Sequence, residues 1–165
     1  MPGPTRYDVT REALAEHLDG EPRSRLDQPW DGLYTQLADP ADITNLPKKL
    51  RQRLDDELPT ALTPVTESVD ETGDTVKFLW ELDGGSRVET VLMLYPDRAT
   101  VCVSSQAGCA MACDFCATGR LGLKRHLRAE EIVAVRACVP DALSGAVPAG
   151  PVAPAPGCGA PLTSR

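Results

Sequence analysis

The chain has 165 residues, 42% of them hydrophobic and 25% charged, with a formal net charge of −7. That length suits one small domain, or a small domain with part of a larger one. No apolar run approaches the roughly 20 residues of a membrane helix, no apolar stretch follows the first charges as a secretory signal requires, and the acidity argues against a polyanion-coating protein while allowing a local basic patch.

Four stretches differ in texture. The first, residues 1–62, reads as a small helical domain. Thr10 can cap a helix carrying Leu14 and Leu18 that stops at Gly20. Trp30, Leu33, Tyr34 and Leu37 follow the spacing of one buried helical stripe, with Pro29 at its start. Asn45 can cap a third helix, with Pro47 early in it and Leu50, Leu54 and Leu58 at four-residue spacing. Lys48, Lys49, Arg51 and Arg53 decorate that helix, either as a solvated face or as an RNA contact.

In the second stretch the period shortens. Thr75–Leu82 and Val88–Tyr95 read as two strands around the turn Asp83-Gly84-Gly85. Pro96-Asp97 breaks the second, and Ala99–Val103 is a largely apolar third strand of the kind buried on both faces. The third stretch, Gln106 to Leu123, is a loop with three cysteines, followed by a helix over Ala129–Cys138. Strand, loop and helix are expected to open a parallel βα fold. Residues 63–138 thus form one unit.

Residues 139–165 form the fourth stretch, which holds six Pro, four Gly and six Ala with almost no charge. This composition predicts disorder or a linker. A βα unit needs neighbouring strands, and none follow, so the chain reads as a fragment or as one whose frame is lost near Cys138.

The strongest chemical signal is Cys109-Ala-Met-Ala-Cys113-Asp-Phe-Cys116. In a cytoplasmic setting thiols stay reduced, and clustered cysteines more often bind metal than pair. Three thiolates on a four-iron cluster leave one iron without a protein ligand, free to take a substrate. Small Ala110 and Ala112 let the backbone curl close to such a centre. A zinc site of these cysteines with His126, ten residues beyond Cys116, is an alternative. Disulfides and buried structural thiols are others, and a four-cysteine ferredoxin loop lacks its fourth ligand nearby.

Cys-x₃-Cys-x-aromatic-Cys, with Phe115 as the aromatic, resembles the signature of radical S-adenosylmethionine (SAM) enzymes. The flanking residues narrow the resemblance: Val88-Glu89-Thr90-Val91, the run Asp97 to Cys109, Phe115-Cys116-Ala117-Thr118-Gly119 and Gly122-Leu123. They resemble the dual-specificity ribosomal and transfer RNA adenine C-2 methyltransferases of the RlmN type. Gly20-Glu21-Pro22 with Trp30, and Leu46-Pro47-Lys48-Lys49-Leu50, are similar to that family's N-terminal helical domain. The likeness covers roughly Thr10 to Arg136.

The resemblance implies an α/β fold: a small N-terminal helical RNA-binding-type domain, then a β-hairpin and the first βα unit of an incomplete radical SAM (partial TIM) barrel. It implies a 4Fe-4S cluster on Cys109, Cys113 and Cys116, with SAM chelated by the open iron and Phe115 among the cofactor-binding residues. Adenine C-2 is not nucleophilic, so the family works by a radical route. It methylates one of its own cysteines near the C-terminus, then passes that carbon to the ring through a protein–RNA adduct. Cys102 matches the thiol that forms a transient disulfide with the methyl-carrying cysteine, and Glu89 matches the proton acceptor. Without the resemblance, Cys102 also reads as an inert core residue and Glu89 as an exposed strand carboxylate.

Arg120, Lys124, Arg125, His126 and Arg128 form a basic run that steers phosphates or simply faces solvent. Implied partners are 23S rRNA, tRNA and a flavodoxin-type electron donor, with no membrane. Cys158-Gly159 echoes the family's terminal Cys-Gly only faintly, and Ala129 stands where a hydroxyl cap is usual. The chain alone is therefore expected to be inactive. The adenine C-8 methyltransferase branch and a non-catalytic metal- or RNA-binding module are the competing readings.

Overall fold

A computed structural model describes residues 4–139. They divide between Ala61 and Leu62 into two compact units, each considered by itself.

The first unit is helical. Helix α1 (Arg11–His17) begins at Thr10, whose hydroxyl accepts the Ala13 N–H at 3.2 Å. Gly20, at φ +89°, turns the chain beyond it. Helix α2 spans Asp27–Tyr34 and α3 spans Lys48–Glu57. Leu14, Leu18, Leu33, Leu50, Leu54 and Leu58 gather with Val9, Ile43 and Leu46 into one core. Two expectations need correction. Leu37 lies past the end of α2, at φ +52°, so the helical stripe ends at Tyr34. Asn45 is not a cap: α3 starts directly after Pro47, which is pre-set in φ and has no N–H to satisfy.

An ion cluster that the leucine pattern does not announce closes this unit. Arg6 is 6% exposed. Its guanidinium donates to the Leu58 carbonyl at 3.2 Å, to Asp55 at 3.0 Å and to Asp39, tying the start of the chain to the end of α3.

The second unit is built on a four-stranded antiparallel sheet in the order β1 (Leu62–Val69), β2 (Thr75–Leu82), β3 (Arg87–Leu94), β4 (Ala99–Val103). Between β2 and β3, Gly84 and Gly85 both take positive φ, and the Leu82 N–H reaches the Ser86 carbonyl at 2.8 Å. One face is apolar, with Val76, Phe78, Trp80 and Leu82 of β2 beside Val88, Leu92 and Leu94 of β3. Thr90, buried on the same face, accepts the Trp80 indole N–H at 3.1 Å.

The chain then forms a two-stranded antiparallel ribbon, β5 (Gln106–Gly108) with β6 (Leu123–His126), which encloses the cysteine loop and the short helix α4 (Ala117–Arg120). Strand β5 lies against β3, and α5 (Ala129–Cys138) against β1.

The architecture is α/β, but all its strand pairs among the described residues are antiparallel. Strand β4 is not buried on both faces as its apolar run suggests. Among the described residues it pairs with β3 alone, and Thr100, Cys102 and Val103 are exposed. Val139, read as the start of a tail, is buried and donates to the Val135 carbonyl at 3.1 Å. The expected disorder beyond it, and Cys158, lie outside the described residues.

Candidate cysteine-loop site

The loop neck is made of backbone. Gly108, at φ +78°, sits so close to Gly122 that a Cβ on it would lie 1.9 Å from the Gly122 oxygen. That same oxygen accepts the Cys109 N–H at 3.1 Å. Ala112, at φ +49°, reverses the chain between Cys109 and Cys113, where a small side chain carries the left-handed conformation at least cost. Cys113 and Cys116 end a tight turn in which the Cys116 N–H donates to the Cys113 carbonyl at 3.1 Å. Gly119 of α4 packs beneath it, where a Cβ would stand 2.9 Å from the Cys113 nitrogen. Gly108, Gly119 and Gly122 are thus shape-determining residues that the cysteine spacing alone does not reveal.

Cys109, Cys113 and Cys116 are all free and half-buried. Among the described residues, no three His, Cys, Asp or Glu side chains are gathered closely enough to hold a metal ion. The donor set nevertheless suits an iron–sulfur cluster in kind and number: three soft thiols on one glycine-shaped loop. His126 fits the zinc alternative poorly. It pairs with Gln106, at the end of the ribbon away from Cys109, and it is exposed. Phe115 is 95% exposed and Met111 77%, so the loop presents an apolar tip.

Glu89 and Cys102 are brought to one surface. Cys102 on β4 lies opposite Val91 on β3, two residues after Glu89, so all three share the open face of the sheet. Glu89 and Cys102 form a diagonal pair, a spacing of about 7–8 Å between strands. Both are exposed. The Glu89 carboxylate accepts from the Lys77 ammonium at 3.1 Å, and the Ser104 hydroxyl donates to the Glu89 carbonyl at 2.8 Å. Lys77 gave no signal in the sequence beyond being a strand lysine.

The basic run is not uniform. Arg125 binds Glu131 with two hydrogen bonds, at 2.7 and 2.8 Å. Glu131 is completely buried and also accepts the Arg128 N–H at 2.8 Å, which supplies the start of α5 in place of a hydroxyl cap. Burial pushes the Glu131 carboxyl up. The hydrogen bonds from Arg125 and Arg128 outweigh that and hold it below the ordinary glutamate range. The same bond to Glu131 raises Arg125. Arg128 also pairs with Glu130 at 2.8 Å. Arg120, Lys124 and His126 remain exposed.

No protein-family model matches the chain. Individual proteins do. A probable dual-specificity RNA methyltransferase RlmN of Salinispora tropica is 54% identical over 125 residues, which cover 74% of this chain and 33% of that protein. One of the same description from Rhodococcus jostii is 49% identical over 144 residues, 86% of this chain and 38% of the relative. The crystal structure of a radical SAM methyltransferase from Sphaerobacter thermophilus is 50% identical with a TM-score of 0.69, covering 81% of this chain and 40% of that one. The chain is therefore a homologue of the dual-specificity RNA methyltransferases named RlmN, and it spans 33–38% of the length of these curated relatives.

Proposed function

We propose that this chain carries the N-terminal helical unit and the cysteine-loop unit of a radical SAM enzyme that methylates an adenine carbon in ribosomal and transfer RNA. The observation that carries the reading is the 49–54% identity to relatives bearing that name across both units. The glycine-shaped loop with three free thiols supports it. Neither the adenine C-8 branch nor a non-catalytic module is favoured by these relatives.

Cys109, Cys113 and Cys116 would hold a 4Fe-4S cluster. Bound with SAM, that group supplies the one-electron chemistry needed to functionalise a ring carbon that is not nucleophilic. Phe115, at the exposed loop tip, would cover the cofactor. Glu89 would take up the proton that the methylated ring carbon must lose. The ammonium of Lys77 pairs with its carboxylate at 3.1 Å, on the sheet face that also carries Cys102. Cys102 is accessible there, as a thiol that must exchange with a second cysteine needs to be.

Lys48 and Lys49 on α3, and Arg120 and Lys124 beside the loop, are exposed cations suited to phosphate contacts. Arg125 is excluded from that role by its bonds to Glu131. We further assign residues 1–62 to RNA contact and 63–138 to the opening of the radical SAM core. A flavodoxin-type protein serves as electron donor, and the protein works in the cytoplasm, where its thiols stay reduced.

The test is anaerobic reconstitution with iron and sulfide. Wild-type chain is expected to gain a broad visible absorbance that Cys109→Ala, Cys113→Ala and Cys116→Ala each abolish. Uptake of zinc with no iron–sulfur absorbance would overturn the assignment.

A further inference from the structure

We propose that Cys113 and Cys116 form a reversible disulfide site, closed by a low-molecular-weight disulfide such as oxidised glutathione, and that the closed form shuts iron out of the loop. The disulfide itself stands on the turn geometry. Its consequence for iron rests on the reading of the three thiols as cluster ligands.

The Cys116 N–H bonds to the Cys113 carbonyl at 3.1 Å, which closes a four-residue turn. Such a turn keeps its end Cα atoms within about 7 Å. Disulfides usually span Cα separations of about 4.4–6.8 Å. Both thiols are free and neither is fully buried, so a small disulfide can reach them.

Cys109 lies outside this turn. Its N–H is bonded to Gly122, and the left-handed Ala112 turns the chain between it and Cys113. Gly119 packs against the Cys113 backbone and backs the turn. The three sulfurs are not gathered on a common centre, so pairing of two displaces no contact with the third.

The chemistry balances. One thiolate attacks a sulfur of oxidised glutathione, breaks that S–S bond and releases one glutathione thiolate. The second protein thiolate attacks the protein sulfur of the mixed disulfide, which forms the Cys113–Cys116 bond and expels the second glutathione thiolate. Two electrons pass from the protein thiols to glutathione, and the two released thiolates take up the two protons. The closed pair then offers no thiolate to iron, leaving Cys109 as the loop's one ligand.

The full chain, incubated with oxidised glutathione, is treated first with one alkylating reagent, then reduced and treated with a second. Cys113 and Cys116 are expected to carry the second label while Cys109 carries the first. Cleavage before Asp114 is expected to leave peptides that stay linked until reduction. Cys109→Ser should keep that protection. First-label alkylation of Cys113 or Cys116, or protection that disappears in Cys109→Ser, overturns the site.

Iron and sulfide are then offered anaerobically to the oxidised chain, before and after dithiothreitol. Uptake only after reduction is expected. Equal uptake in both states overturns the blocking role. Failure of the reduced chain to take up iron strikes the cluster assignment and leaves the disulfide standing.

Discussion

At Gly108 the main chain itself shapes the neck of the cysteine loop. Its positive φ and its approach to Gly122 forbid a side chain. Gly84 also has positive φ, but a Cβ there would meet nothing within 4 Å. Gly84→Ala is therefore expected to cost about 1 kcal/mol, from backbone strain alone. Gly108→Ala should cost about 2–3 kcal/mol, since strain and clash act together, and it should also reduce iron uptake. Urea denaturation of the two variants checks the difference. Glu131 gives a second residue-scale expectation. Its carboxyl is depressed in the folded chain, so its contribution is complete above the unfolded value of about 4.3 and drains away as pH falls through the lower, folded one. Glu131→Gln should flatten the acid limb of the stability curve in that window. It should also cost on the order of 2 kcal/mol at neutral pH, because Arg125 and the Arg128 N–H lose their charged acceptor. Thermal unfolding followed by circular dichroism from about pH 3 to about pH 7, a range set around the ordinary glutamate value, checks both.

Elements differ in how visibly the sequence announces them. The β2–β3 hairpin is legible because Asp83-Gly84-Gly85 punctuates two runs of strand-forming residues. Helices α1 and α5 are legible from Thr10 and from the apolar run after Ala129. Strand β1 escapes notice because Pro64, Thr63, Thr66 and Glu67 give it a weak pattern, and a bulge between Pro64 and Thr66 interrupts its pairing. Strands β5 and β6 and helix α4 have three or four residues each, too few for any period to show. Strand β4 misleads in the other direction. An apolar run looks alike whether both faces or only one edge is covered. Its outer edge, lined by exposed Thr100, Cys102 and Val103, pairs with no strand among the described residues. Such an edge templates association. Val103→Lys is expected to lower concentration-dependent self-association, read by multi-angle light scattering, with the fold unchanged by circular dichroism.

For the whole chain, charge sets the expectation. A net charge of −7 disfavours polyanions in general, so the proposed RNA contact would come from local cations such as Lys48, Lys49, Arg120 and Lys124. Single-strand RNA binding should weaken with salt at a log–log slope of about −0.7 per phosphate contacted. The double variant Lys48→Glu, Lys49→Glu should make that slope shallower, measured by fluorescence anisotropy. The candidate site was legible where chemistry demands particular atoms, as with the cysteine trio. It was hidden where the backbone makes the site, as at Gly119 and Gly122, or where only register joins residues, as with Glu89, Cys102 and Lys77. The antiparallel ribbon that brackets the loop has one more implication. Both strands of residues 106–126 enter and leave side by side, and their closure is main chain against main chain. The segment is thus a cassette whose sulfur spacing is written in its own main chain, and which Arg125 moors to α5 through Glu131.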